Sequence, residues 1–147
     1  MSVLEVFAPL FGHWQGSEEL SASPWGRAGT ARAALSFRVE LGGGAVVNDY
    51  RRVREDGTEF LGHGVFLVDS AAEVSWWLFD SYGYPPVPAR GGWRDGELML
   101  TKTTEQGRAE HRFGFTGEDL SYAIDLTLED AGPLPFLRGR YRSISGH

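Results

Sequence analysis

The sequence has no cysteine, no apolar run long enough to cross a bilayer, no excess of positive charge and little helical periodicity. Each absence removes a class of function. Without cysteine there is no disulfide framework, no thiolate metal site and no cysteine nucleophile, a composition suited to a reducing compartment, so a cytoplasmic location is expected. A net charge of −6 and a pI near 5.2 repel phosphate backbones, and no nucleic-acid partner is expected. Residues 1–11 are apolar but carry no basic leading segment and are too short to span a membrane, which predicts neither signal peptide nor anchor. The serines, among them Ser17, Ser21, Ser36 and Ser75, lie outside any G-x-S-x-G elbow, so no catalytic triad is assigned.

What is present points to tightly turned β-structure. Length predicts one domain over residues 1–147, and 20 glycines with 13% aromatics favour strands over a helical bundle. Ser2 and Glu5 stand in capping-box spacing ahead of Val6, Phe7, Leu10 and Phe11, which predicts a short helix shortened by Pro9 and ended by Gly12. Ten period-2 runs follow: 13–21, 29–41, 45–54, 59–68, 73–81, 89–94, 97–104, 108–116, 119–129 and 136–144. The proline-rich SYGYPPVPA reads as an irregular loop.

Turn lengths set which side chains share a face. A two-residue turn at Asp56-Gly57 pairs Val53 with Phe60, Arg51 with Gly62 and Asp49 with Gly64, while a loop over residues 42–44 pairs Phe37 with Asp49. A loop over residues 70–72 pairs Phe66 with Trp76. A turn at 105–107 pairs His111 with Thr101 and Phe113 with Met99, and sets Lys102 against Glu110 outside. Gly117-Glu118 then pairs Phe113 with Tyr122 and His111 with Ile124. One apolar face persists through these hairpins, and closure covers that face while removing both sheet edges. The expected fold is all-β, a ten-stranded antiparallel up-and-down barrel closed at one end by the N-terminal helix.

In LFGHWQG, alternation sends Trp14, Gly16, Glu18 and Leu20 inward and His13 outward, so Trp14 is expected to plug the closed end and His13 to be solvated. Gly12-His13-Trp14 is similar to the G-x-W signature that opens the first strand of lipocalin-like (calycin) barrels. With GHGVFLVD and WWLFDS, the chain resembles a bacterial lipocalin-like family of unknown function, distantly similar to fatty-acid-binding proteins and nitrobindin. That resemblance implies a cavity holding something apolar. The fatty-acid-binding carboxylate clamp, an Arg-x-Tyr pair in the last strand, does not carry over, because Gly139 stands two before Tyr141. Nitrobindin's haem is held by a late-strand histidine, for which His111 is the nearest counterpart by position.

The expected lining comprises Trp14, Phe37, Phe60, Phe66, Trp76, Met99, Phe113, Phe115 and Tyr122, with Gly62 and Gly64 leaving a gap across from Arg51 and Asp49. Its polar members are Asp49, Arg51, Asp80, Thr101, His111 and Tyr122, each needing a partner or a ligand once desolvated. Asp49 and Arg51 form either a bracing ion pair or a ligand anchor. His111 is a core histidine bonded to Thr101 or Tyr122, a ligand contact or a haem ligand. His63 falls outside beside Tyr50, so no metal site is expected. The RRVR run, with Arg52 and Arg54, reads as a solvated wall. Outward Val65, Leu67, Trp77 and Phe79 suggest a homodimer.

Binding of a small, largely apolar molecule is the expected function, with Asp49, Arg51, Trp76, Asp80, Thr101, His111 and Tyr122 as contacts and no cofactor. The alternatives are a cavity isomerase or lyase using a buried carboxylate and His111, a haem protein, and a filled barrel serving association.

Overall fold

The computed structural model describes residues 3–23, 26–83, 86–128 and 132–144. A 3₁₀ helix, Val3–Leu10, leads into β1 (Gly12–Leu20), β2 (Gly29–Glu40), β3 (Ala45–Arg54), β4 (Glu59–Ser70) and β5 (Glu73–Asp80). There follow β6 (Ala89–Arg94), β7 (Glu97–Thr104), β8 (Gly107–Thr116), β9 (Asp119–Leu128) and β10 (Leu134–Ile144). Each strand pairs antiparallel with the next, and β1 pairs with β10, so the sheet is a closed ten-stranded barrel. Closure satisfies the edge hydrogen bonds that an open meander exposes. Among the described residues no helix is long and apolar enough to cross a membrane.

The N-terminal segment is 3₁₀ rather than α, with Pro9 inside it; Ser2, the first residue of the expected capping box, lies outside the described residues. Phe7 and Leu10 are fully buried, and the Phe7 ring meets Phe66 at 5.5 Å and Trp93 at 5.4 Å. Trp14 is buried at this same end and donates from Nε1 to the Leu10 carbonyl at 2.9 Å, which ties strand to helix. His13 is exposed. Trp14 is therefore a plug, and Phe115, inward by parity but partly exposed at this rim, packs against it at 6.0 Å.

Two strands depart from the expected register, and both departures come from turn length. The β3–β4 loop has three residues rather than two: Gly57, at φ 88°, donates to the Arg54 carbonyl, and Arg54 N donates to Thr58 O, both at 2.9 Å. This is a type I turn followed by a left-handed glycine. The β2–β3 connection likewise holds residues 41–44, with Glu40 paired to Ala45. The two extra residues cancel in β4 and invert β3 alone. Asn48, Tyr50 and Arg52 point inward; Asp49 and Arg51, expected inside, point outward, and Phe37 pairs with Asn48 instead of Asp49.

The β7–β8 turn is the converse, with two residues where three were expected, since Thr104 pairs with Gly107. Leu98, Leu100 and Lys102 consequently face in, and Met99 and Thr101 face out. The expected external Lys102–Glu110 pair does not form; Glu110 instead meets Arg112 at 3.1 Å. Pairings of Phe66 with Trp76, Phe113 with Tyr122 and His111 with Ile124 stand as read from the sequence. On the outer face Leu67 and Phe79 are exposed, Val65 and Trp77 half-buried.

Candidate functional site

A cavity of about 620 Å³ occupies the barrel half away from the helix. It opens between the loop after β5, through Tyr82 and Val87, and the β7–β8 turn, through Thr104 and Arg108. The wall is short there because β5 pairs with β6 only from Val74 to Trp76. Beyond Trp76, Leu78 and Asp80 have no β6 neighbour, and the gap becomes the mouth. Leu35, Leu78, Ile124, Leu126, Leu128 and Phe136 make most of the lining apolar.

The deepest layer is aromatic and polar together. Trp76, 3% exposed, stacks on Phe66 at 5.2 Å and donates from Nε1 to Asn48 Oδ1 at 3.0 Å. Gly64, between them, makes this bond possible, because a Cβ there would lie 2.1 Å from Asn48 Oδ1 and 2.2 Å from Trp76 Nε1. The space left by that glycine is thus filled, and it faces Asn48 rather than Asp49. His111 and Tyr122, brought together by the β8–β9 register, share a hydrogen bond of 2.7 Å between Nδ1 and the phenol oxygen. Burial, with the Lys102 charge as a lesser cause, lowers the His111 pKa to about 3, so the imidazole is neutral at physiological pH. Burial pushes the Tyr122 phenol up, and it keeps its proton.

A second polar cluster lies on the β1–β3–β10 side. Glu18, 1% exposed, accepts hydrogen bonds from the Tyr50 hydroxyl at 2.6 and 2.7 Å and from the Tyr141 hydroxyl. The Tyr141 ring lies over Gly139, where a Cβ would come within 2.1 Å of its hydroxyl oxygen. Burial raises the Glu18 pKa, while the two phenols, Arg52 and Arg54 pull it back toward the ionised form. Arg52 is 4% exposed, lies over the Phe60 ring at 4.6 Å and makes one long hydrogen bond, from Nη1 to the Tyr50 oxygen at 3.4 Å. The reading of Arg52 as part of a solvated wall is therefore overturned by the β3 inversion. Glu18 already lay on the inward side of the β1 alternation with Trp14, and that parity was the available signal for it.

Of the sequence-derived contacts, Trp76, Asp80, His111 and Tyr122 line the cavity. Asp80 sits at the mouth, where Oδ1 accepts from Tyr82 N at 3.0 Å. Asp49 and Arg51 line an open depression on the outer face, of about 610 Å³, with His13, His63 and Phe79. They do not pair with each other: Asp49 bonds Arg38 at 2.7 Å and His63 at 2.6 Å, and Arg51 bonds Glu59 at 2.6 Å. Partial burial works against the Asp49 carboxylate, but the bonds from Arg38 and His63 hold its pKa below the usual range. Thr101 faces outward, opposite Glu110 on β8. Among the described residues no three His, Asp or Glu side chains gather as a metal-ligand set.

No family model matches the chain, and no curated protein sequence matches it. Solved structures do. Rv2717c from M. tuberculosis is 17% identical, with 99% of each chain covered and a TM-score of 0.80. The S-type phycobiliprotein lyase CPES from Guillardia theta is 12% identical over 100% of this chain and 95% of its own, with a TM-score of 0.72. The barrel EF1p2_mFAP2b, solved bound to DFHBI, is 12% identical over 97% of this chain and all of its own, at a TM-score of 0.54. At these identities the likeness is one of fold, and the chain shares the overall fold of these structures.

Proposed function

We propose that the protein binds a small, largely apolar molecule inside the barrel. The observation that carries this reading is the cavity of about 620 Å³, whose exposed wall is mainly apolar and aromatic surface, with polar and charged side chains set among it. Two of the similar barrels are described by their names as a phycobiliprotein lyase and a DFHBI-bound protein, which supports the same reading.

Chemistry on the ligand has weaker support than binding. The isomerase or lyase reading relies on a buried carboxylate beside His111, and Asp49 lies on the outer face. Asp80 is at the mouth, and both Glu18 oxygens are held by tyrosines. Haem fits in one respect, a neutral imidazole whose Nδ1 is engaged by Tyr122. It fits poorly in another, because the imidazole is flanked by Tyr122, nearly parallel at 5.9 Å, and by Trp76, perpendicular at 5.0 Å. A macrocycle ligated by His111 would share its space with both rings, and Trp76 is tied to Asn48.

Ala109 lines the cavity on β8 near the mouth, where the added bulk of Ala109→Trp occupies ligand space. Titration with the uncharged fluorophore N-phenyl-1-naphthylamine is expected to show saturable, blue-shifted binding at one site per chain. Ala109→Trp is expected to weaken it about tenfold or more, equivalent to roughly 1.4 kcal/mol. Equal affinities in the two proteins contradict binding inside the barrel.

A further inference from the structure

Arg52 is a buried cation with few hydrogen-bond partners. A guanidinium carries five N–H donors. Among the described residues it makes one hydrogen bond, at 3.4 Å, and its Nε, shielded from water, has no partner there. Among the described residues Glu18 is the carboxylate that acts on its charge, and the two form no salt bridge; the Tyr50 hydroxyl stands between, engaged with both Glu18 oxygens. A buried charge left so poorly paired is costly unless something else completes its shell. The side chain belongs to the cavity lining.

Across the cavity, on β7, stands Lys102, the chain's one lysine, also part of the lining. The other ionised side chains of the lining are Asp80, Glu105 and Arg108, all at the mouth. Asp80 is capped by the Tyr82 amide, and Glu105, in the β7–β8 turn, and Arg108, just after it, are exposed. Below that rim the charged groups facing the cavity, among the described residues, are both cations, Arg52 and Lys102. Deeper still lies the Trp76, His111, Phe113 and Tyr122 wall, with no ionised group at physiological pH.

We infer that the ligand is an amphipathic organic anion, its acidic oxygens held at Arg52 with Lys102 opposite and its aromatic or aliphatic body laid against the deep wall. The inference rests on the cavity-binding reading and adds the charge and orientation of the ligand. Guanidinium is suited to this task because its planar donors match the oxygens of a carboxylate or sulfonate.

Two fluorophores that differ only by a sulfonate, 1-anilinonaphthalene-8-sulfonate and N-phenyl-1-naphthylamine, separate the two ideas. In Arg52→Met the anionic probe is expected to bind at least tenfold more weakly while the neutral one stays within twofold of wild type. Lys102→Met is expected to weaken the anionic probe by two- to fourfold. Retention of the neutral probe reports an intact barrel in each variant. Should Arg52→Met fail to fold, the wild-type protein still decides: the ¹H–¹⁵N resonance of Arg52 Nε is expected to shift with the anionic probe and not with the neutral one. Anionic-probe affinity within twofold of wild type in Arg52→Met, or an Arg52 Nε resonance unmoved by the anion, overturns the inference while leaving the cavity reading in place. Failure of the wild type to take up either probe overturns both.

Discussion

On acidification from pH 7 to pH 4 the protein is expected to lose about 3 kcal/mol of stability through His111 alone, and His111→Phe is expected to lack that loss. In the unfolded chain the imidazole titrates near its ordinary value of 6.5, whereas in the barrel it titrates near 3. Between those values the unfolded state binds a proton that the native state does not, so stability falls as pH falls. Burial is the main cause, and the Lys102 ammonium adds to it. Glu18 acts in the opposite sense. Its raised pKa means that the native state takes up a proton before the unfolded chain does as pH falls from neutral, which offsets part of the loss. The informative quantity is therefore the difference between wild type and His111→Phe, read from urea midpoints at pH 7, 5.5 and 4. The variant starts lower at pH 7, having lost the Tyr122 hydrogen bond, and the two curves converge as the solution is acidified. Parallel curves contradict a buried, neutral His111.

Gly64→Val is expected to destabilise by about 3–5 kcal/mol, combining overpacking with a buried polar bond broken. Its side chain must enter the space between Asn48 Oδ1 and Trp76 Nε1, and neither group can easily retreat. Trp76 is stacked on Phe66 and edge-on to Phe113, and Asn48 is 2% exposed. Gly62, two residues away on the same face, is the control. A Cβ there meets the end of the Leu78 side chain at 3.3 Å and Phe60 Cε2 at 3.6 Å, groups able to give way. Gly62→Ala is expected to cost under about 1 kcal/mol. Chemical denaturation of the pair checks the contrast, and near-UV circular dichroism reports displacement of Trp76. Equal losses contradict the packing described around Asn48.

The contrast also shows where sequence reasoning succeeded and where it stopped. In β8 and β9 one alternating set is mostly apolar and the other mostly polar, so parity is legible from composition and agrees with the turn count that places His111 and Tyr122 inside; in β4 and β5 both sets carry apolar residues, and Trp76 is placed by the turn count alone. β3 offers no such signal. Its two sets past Val47, Asn48-Tyr50-Arg52 and Asp49-Arg51-Val53, are both mostly polar, so orientation rested on counting turn residues. One extra loop residue on each side was enough to exchange them. The Arg54-to-Thr58 closure has a local cause in Asp56, whose Oδ1 accepts from Thr58 N at 2.8 Å, and Asp-Gly-Thr is compatible with either loop length. The consequence for function was large, because the interior charge was assigned to Asp49 and Arg51 when it belongs to Arg52 and Glu18. Tyr50 offered the better clue, since a tyrosine gains more from burial than the aspartate beside it.

A crystal structure of the protein soaked with N-phenyl-1-naphthylamine tests the proposed cavity most directly, since the outer face also offers apolar surface at Leu61, Leu67 and Phe79, each more than 40% exposed. The probe is expected inside the barrel, its rings against Trp76, His111 and Tyr122. An unchanged interior with the probe seated on the Leu61–Phe79 face would mean that the barrel is not a container.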